Sequence, residues 1–160
     1  MLITVFTPTY NRASFLRNIF ECLTRQTFHD FEWIVVDDGS TDSTKEVMKK
    51  IIAEHNTFPI RYIYKENEGK HTAINIGARE ANGELFFILD SDDRLPIDSL
   101  ETVAEYYSQI QNNPNFGGVS GIDGLTNRDV LGSGLPSPII DASTIDIPVS
   151  YTHLTLPTTF

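Results

Sequence analysis

The sequence predicts an α/β fold, a mostly parallel sheet with helices on both faces, and three observations carry that prediction. Short runs that are apolar on both sides alternate with segments of helical spacing, in the order strand, helix, four times over. Each run ends in a cluster of polar residues, as strands that feed a common ligand edge do. With 160 residues, 40% hydrophobic and 21% charged, the chain has the composition of one ordinary globular domain, which excludes disordered and fibrous classes.

The first strand is expected over residues 2–6, and Phe15, Leu16, Ile19, Cys22 and Leu23 give the helix after it. A second strand over 31–36 leads into a turn at Gly39 and a helix carrying Val47, Met48, Ile51 and Ile52, with Ser40, Thr41 or Asp42 as its N-cap. A third strand over 60–64 precedes a helix starting near Thr72, in which Ala73 and Gly77 are small enough for close packing. The fourth strand, 85–89, is followed by a helix marked by Leu100, Val103, Ala104, Tyr107 and Ile110. A weaker strand signal falls at 116–120.

Charge and cysteine content narrow the function. Lys and Arg number 12 against 22 Asp and Glu, a net charge of −10, which disfavours nucleic acid and anionic membrane surfaces as partners. The single cysteine, Cys22, cannot form an internal disulfide. No signal peptide and no apolar run long enough for a membrane span are visible, so a cytoplasmic protein is expected, one able to sit at the inner face of the membrane as part of a longer chain.

The strand ends hold the chemistry. Asp90, Ser91, Asp92 and Asp93 follow the apolar stretch 85–89, where three carboxylates within four residues repel one another and call for compensation. A hard divalent cation, Mg²⁺ or Mn²⁺, supplies it, since such ions take one or two protein carboxylates and complete their shell with phosphate and water. The same residues also suit a capped turn facing water. Asp37 and Asp38 close the second run; a carboxylate there can accept hydrogen bonds from a base or a ribose, and Asp38 is the stronger candidate, with Asp37 turned away. Lys70 and His71 beside Gly69 stand at a helix start that attracts phosphate, although both equally suit solvent exposure. Asn75 is polar on an otherwise apolar helix and is a candidate ligand contact.

Taken in order, residues 7–12 (Thr7, Pro8, Thr9, Tyr10, Asn11, Arg12), 36–42, 67–77 and 89–93 resemble the family 2 glycosyltransferases of the GT-A fold, over roughly residues 2–122. The resemblance implies a Rossmann-like nucleotide-sugar-binding domain over 1–122, and a connector toward an acceptor-binding half beginning at 123–148, so that the fold is incomplete at its C-terminus. It implies inverting transfer of a sugar from a nucleotide donor, a UDP-sugar foremost, to a carbohydrate or lipid-linked acceptor, with Mn²⁺ or Mg²⁺. It places Thr7, Pro8, Thr9 and Tyr10 on the nucleoside wall, Asp38 on the base, Asp90 near the ribose or diphosphate, and Lys70, Asn75 and Ser91 along the donor site. Asp92 becomes the leading metal ligand and Asp93 a possible second.

In such enzymes the general base comes from an acidic motif downstream of the Asp-x-Asp element. Asp123, Asp129, Asp141 and Asp146 match no such motif, so no base is assigned and the chain alone is expected to be inactive. Residues 149–158 match one translated frame of the transposase adapter used in sequencing libraries, so 149–160 is expected to be a non-native tail. Two other classes compete. A receiver-like Mg²⁺-binding signalling domain needs a lysine after a late strand, and no lysine follows Lys70. A nucleotidyltransferase needs a Gly-rich basic loop after the first strand, where this chain has Thr7 to Asn11. A module that binds nucleotide-sugar without turnover remains the close alternative.

Overall fold

The computed structural model describes residues 1–54, 57–115, 119, 121–122, 151–152 and 154–155. Its elements run β1 (Ile3–Thr9), α1 (Ala13–Thr24), β2 (Phe31–Asp38), α2 (Thr44–Glu54), β3 (Ile60–Lys65), α3 (Lys70–Glu80), β4 (Leu85–Ile88), α4 (Ser99–Ile110), β5 (Gly121–Ile122), β6 (Tyr151–Thr152) and β7 (Leu154–Thr155). The four expected helices and four strong strands are all present. The weaker signal at 116–120 lies almost wholly outside the described residues.

The main sheet has the order β3-β2-β1-β4-β7, with β1, β2, β3 and β4 parallel. β7 joins antiparallel through Phe86 with Thr155 and Phe87 with Leu154, and β5 pairs separately with β6. From β1 the chain moves outward to β2 and β3, then returns to the other side of β1 for β4. The strand order therefore reverses between β1 and β4, and crevices for ligands form at the carboxyl ends of strands at such a point.

Period-two alternation sorts the strands into two cores. Ile3, Val5, Trp33, Val35, Leu85 and Phe87 face α1, α2 and α4 and pack with Leu16, Ile19, Met48, Ile51 and Leu100. Phe6, Ile34, Val36 and Phe86 face the opposite way, toward Ala73 of α3. Two strands run further than their hydrophobicity suggests, because pairing rather than side-chain type ends them. β1 continues through Thr9, opposite Asp37, and β2 includes both aspartates. Pro8 is tolerated there because, by ladder alternation, its missing N–H faces the β4 side, and β4 pairs with β1 only as far as Phe6 with Ile88.

Candidate functional site

The carboxyl ends of β1, β2 and β4 and the loop after β3 surround an open cleft of about 590 Å³. Pro8, Thr9, Tyr10 and Arg12 form one wall; Asp90, Ser91 and Asp92 face them; Asp38, Asn67, Gly69 and Lys70 close the side. Eight of the expected site residues thus meet in one place: Pro8, Thr9, Tyr10, Asp38, Lys70, Asp90, Ser91 and Asp92. Three do not line it. Thr7 is fully buried beneath, its Oγ1 accepting from Trp33 Nε1 at 3.0 Å. Asn75 is exposed on α3. Asp93 is exposed in the turn after β4, where its N–H donates to the Asp90 carbonyl. Arg12, Asn67 and Gly69 line the cleft without having been assigned a role from sequence; only their place in the strand-end motifs marked them.

Local hydrogen bonds fix the cleft's frame. Asn11, at φ 52°, donates its N–H to Ser40 Oγ, and its Oδ1 accepts from the Thr41 and Asp42 N–H groups. Asp42 accepts from Thr44 N–H and hydroxyl and reaches back to Ala13 N–H, so one carboxylate serves the starts of α1 and α2 together. Asp37 is turned from the cleft, accepting from Ser40 N–H and the Tyr62 hydroxyl. Gly39 has φ 83°, and a Cβ there would sit 2.7 Å from the Asn67 nitrogen, so glycine is what lets the β2 and β3 loops meet.

Asp38 is 5% exposed and ties that third loop down. Its Oδ1 accepts from Lys65 Nζ at 2.6 Å and Glu68 N–H at 3.0 Å, and Oδ2 accepts from Gly69 N–H at 2.8 Å. A carboxylate has about four acceptor positions, so one remains, on Oδ2. Burial works against the charge, but the Lys65 ammonium and the two N–H groups outweigh it and hold the carboxyl below the ordinary carboxylate range. The Asp38 and Glu68 carboxylates in turn raise the Lys65 ammonium against the opposing effect of burial. Asp38 is thereby an acceptor only.

Across the cleft two ion pairs join the walls. Arg12 Nη1 donates to Asp92 Oδ2 at 3.1 Å, and Lys70 Nζ to Asp90 Oδ2 at 2.7 Å. Two buried oxygens at the cleft have no partner among the described residues: Thr9 Oγ1 and Asp90 Oδ1.

Comparison with known proteins now decides the family. The model of the family described as Glycosyl transferase family 2 matches residues 4–153. The chain belongs to glycosyl transferase family 2. It is 37% identical over 111 residues to the glycosyltransferase GlyG of Streptococcus pneumoniae serotype 4, spanning 69% of this chain and 35% of GlyG. To the glycosyltransferase GlyA of the same organism it is 32% identical over 143 residues, spanning 87% of this chain and 20% of GlyA. The chain therefore spans about a third or less of these relatives. Among solved structures it resembles the mannosyltransferase PcManGT from Pyrobaculum calidifontis in complex with GDP-Man and Mn²⁺, at 29% identity and a TM-score of 0.65, over 72% of this chain and 33% of that one. It likewise resembles S. aureus TarS 1-349 in complex with UDP, at 25% identity and a TM-score of 0.66, over 86% of this chain and 38% of that one. The fold is the GT-A fold, as expected.

A family 2 domain invites a test of its acidic pair as a cation site. Among the described residues no cluster of three or more metal-ligating side chains occurs. Asp90 and Asp92 nonetheless fit a hard divalent ion that takes one or two carboxylates and draws its other oxygens from phosphate and water. The unpartnered Asp90 Oδ1 is the observation that favours this, because a buried carboxylate oxygen without a donor is costly unless something supplies positive charge. No helix among the described residues is long and apolar enough to cross a membrane.

Proposed function

We propose that this chain is the donor-binding part of an inverting glycosyltransferase, which moves a sugar from a nucleoside-diphosphate donor to an acceptor hydroxyl with Mn²⁺ or Mg²⁺. The observation that carries the proposal is the meeting of Asp38, Thr9, Asp90 and Asp92 in one cleft where the strand order reverses. The cleft volume suits a nucleotide. In this reading Tyr10, 48% exposed at the cleft wall, offers a flat face to the base, and the free acceptor position of Asp38 takes a base or ribose donor. Thr9 Oγ1 and Ser91 stand where the ribose or diphosphate would lie. Asp92, with Asp90 rather than Asp93 beside it, would hold the cation, which supplies Lewis-acid stabilisation of the charge left on the nucleoside diphosphate.

A UDP-sugar is the first choice of donor, because the related TarS structures contain UDP and UDP-GlcNAc, while PcManGT contains GDP-Man and keeps a guanosine donor in view. The acceptor class is carbohydrate or lipid-linked. Transfer with inversion also needs a carboxylate to take the acceptor proton. In this reading Asp38 is committed to Lys65 and the loop, and Asp90 and Asp92 to the cation, so none of the three is offered as that base. The 160-residue chain should then bind donor without turning it over.

Calorimetry with UDP, GDP and dTDP, each with and without Mn²⁺, tests the reading. At least one should bind in a metal-dependent way, and Asp92→Ala should weaken it by about tenfold or more. Binding of none of the three, or indifference to Asp92→Ala, overturns the donor site. Trp33 is a poor optical reporter for this purpose, being fully buried and bonded to Thr7.

A further inference from the structure

We propose that Arg12 and Lys70 are exchangeable counter-ions of the Asp90–Asp92 pair, a role that rests on the donor-site reading above. They hold the two carboxylates until a divalent cation takes them, and then turn to the phosphates of the donor.

Charge balance is the first argument. Each carboxylate has one cation, Arg12 on Asp92 and Lys70 on Asp90, so the two side chains together match the charge of one divalent ion. Metal entry therefore frees two side-chain cations that stay at the cleft wall, so the cleft becomes more positive by the charge of the ion, which the donor's diphosphate offsets. Both pairs are well exposed, with side-chain accessibilities of 43% and 53% for Arg12 and Asp92, and 56% and 39% for Lys70 and Asp90. Ion pairs this wet are weak on their own and are readily exchanged.

Position is the second argument. Arg12 is the residue before α1 and makes no capping bond with its side chain, and Lys70 is the first residue of α3. A helix N-terminus already carries partial positive charge, so a cation there opposes the local preference and does not serve helix stability. For an arriving anion the same two features add: the partial positive charge of each helix start and the side-chain cation beside it. Thr9 Oγ1, buried and unpartnered at the cleft between them, has a hydrogen bond to give or accept.

Anchoring is the third. The residues on each side of Arg12 are bound to the β2–α2 loop, Asn11 N–H to Ser40 and Ala13 N–H to Asp42. The guanidinium also lies 5.2 Å from the Phe15 ring centroid, a cation–π contact that gives the side chain a fixed resting place. A charge that only faced water would need neither support.

The test is Mn²⁺ affinity without nucleotide, followed by electron paramagnetic resonance of the free ion, on the whole chain. Arg12→Gln and Lys70→Gln should each bind Mn²⁺ alone about three- to tenfold more tightly, since each removes a competing cation. At saturating Mn²⁺ both should bind UDP or GDP about tenfold more weakly, having lost a phosphate partner. Arg12→Lys, which keeps the charge, should stay near the parent in the first measurement. If the Gln variants bind Mn²⁺ no more tightly while the parent still binds nucleotide with metal, the exchange is overturned and the donor site stands. Tighter Mn²⁺ with unchanged nucleotide affinity overturns the transfer to phosphate. If the parent binds neither Mn²⁺ nor nucleotide, both readings fall.

Discussion

Glu32 stands on β2 between Phe31 and Trp33 and is 1% exposed, so its charge is affordable only through its partners. It accepts from Thr4 Oγ1 at 2.8 Å, from Asn82 N–H at 2.8 Å and from Arg61, whose other bonds reach Glu80. Burial raises its pKa, but the Asn82 and Thr4 hydrogen bonds and the Arg61 charge outweigh that and leave it lowered from 4.5. The sign follows: Glu32 contributes stability above pH 4.5, and that contribution is lost as the pH falls through the depressed value. Glu32→Gln should cost about 3 kcal/mol at neutral pH, because its amide would face donors and leave Arg61 with only the exposed Glu80 as counter-ion. Urea unfolding at neutral pH and below pH 4 should show the gap narrowing in acid; a gap independent of pH would reject the account. At this scale the sequence marked the acids better than the bases. Asp38, Asp90 and Asp92 are conspicuous beside apolar strands, whereas Lys65, 10% exposed and bonded to Asp38, and Arg12, bonded to Asp92, look like surface charges until partners 27 and 80 residues away are known.

Elements were legible where one chain segment decides them and less so where two must meet. The helices follow their apolar spacing, but α3 begins at Lys70, earlier than Thr72, because Gly69 ends the preceding loop and the Thr72 N–H and hydroxyl both return to the Gly69 carbonyl. Its small residues were visible in sequence; what they make room for was not. A Cβ on Gly77 would lie 2.3 Å from the Phe6 ring, and Phe6 is itself fully buried and stacked on Phe86 at 5.1 Å between centroids. Gly77→Ala gains about 1 kcal/mol of helix propensity and costs about 1–3 kcal/mol through overpacking, so a net loss is expected. Phe6→Leu should reduce the cost of Gly77→Ala when the two are combined, since the clash is with the ring. A double-mutant cycle on thermal or urea unfolding measures this, and additive effects would show that α3 yields by shifting instead.

For the whole molecule, the strand order that reverses between β1 and β4 gathers into one cleft residues spread from Pro8 to Asp92, and alternation predicted the parallel sheet behind it. Strand order itself is a matter of which edges meet, and no local signal carries it. The same openness governs the far edge. β4 would present its outer side unpaired, and β7 covers it through two residues of the segment 149–160, whose likeness to a translated adapter leads us to propose that it is not native protein. The pairing does not decide the matter, because an open strand edge accepts a short β-prone segment of any origin. Nor does the family match, which runs to residue 153 but rests on 150 residues in all. A chain ending at Pro148 measures what the segment contributes to the fold. Residues 149–160 carry no Asp, Glu, Lys or Arg, so their removal leaves the net charge at −10 and any change in stability must come from packing and pairing. A two-residue ladder lacks the length for independent stability. The shortened chain should therefore unfold within about 2 °C of the parent and bind nucleotide with the same metal dependence. A fall of about 5 °C or more would make β7 an integral strand of this chain's fold.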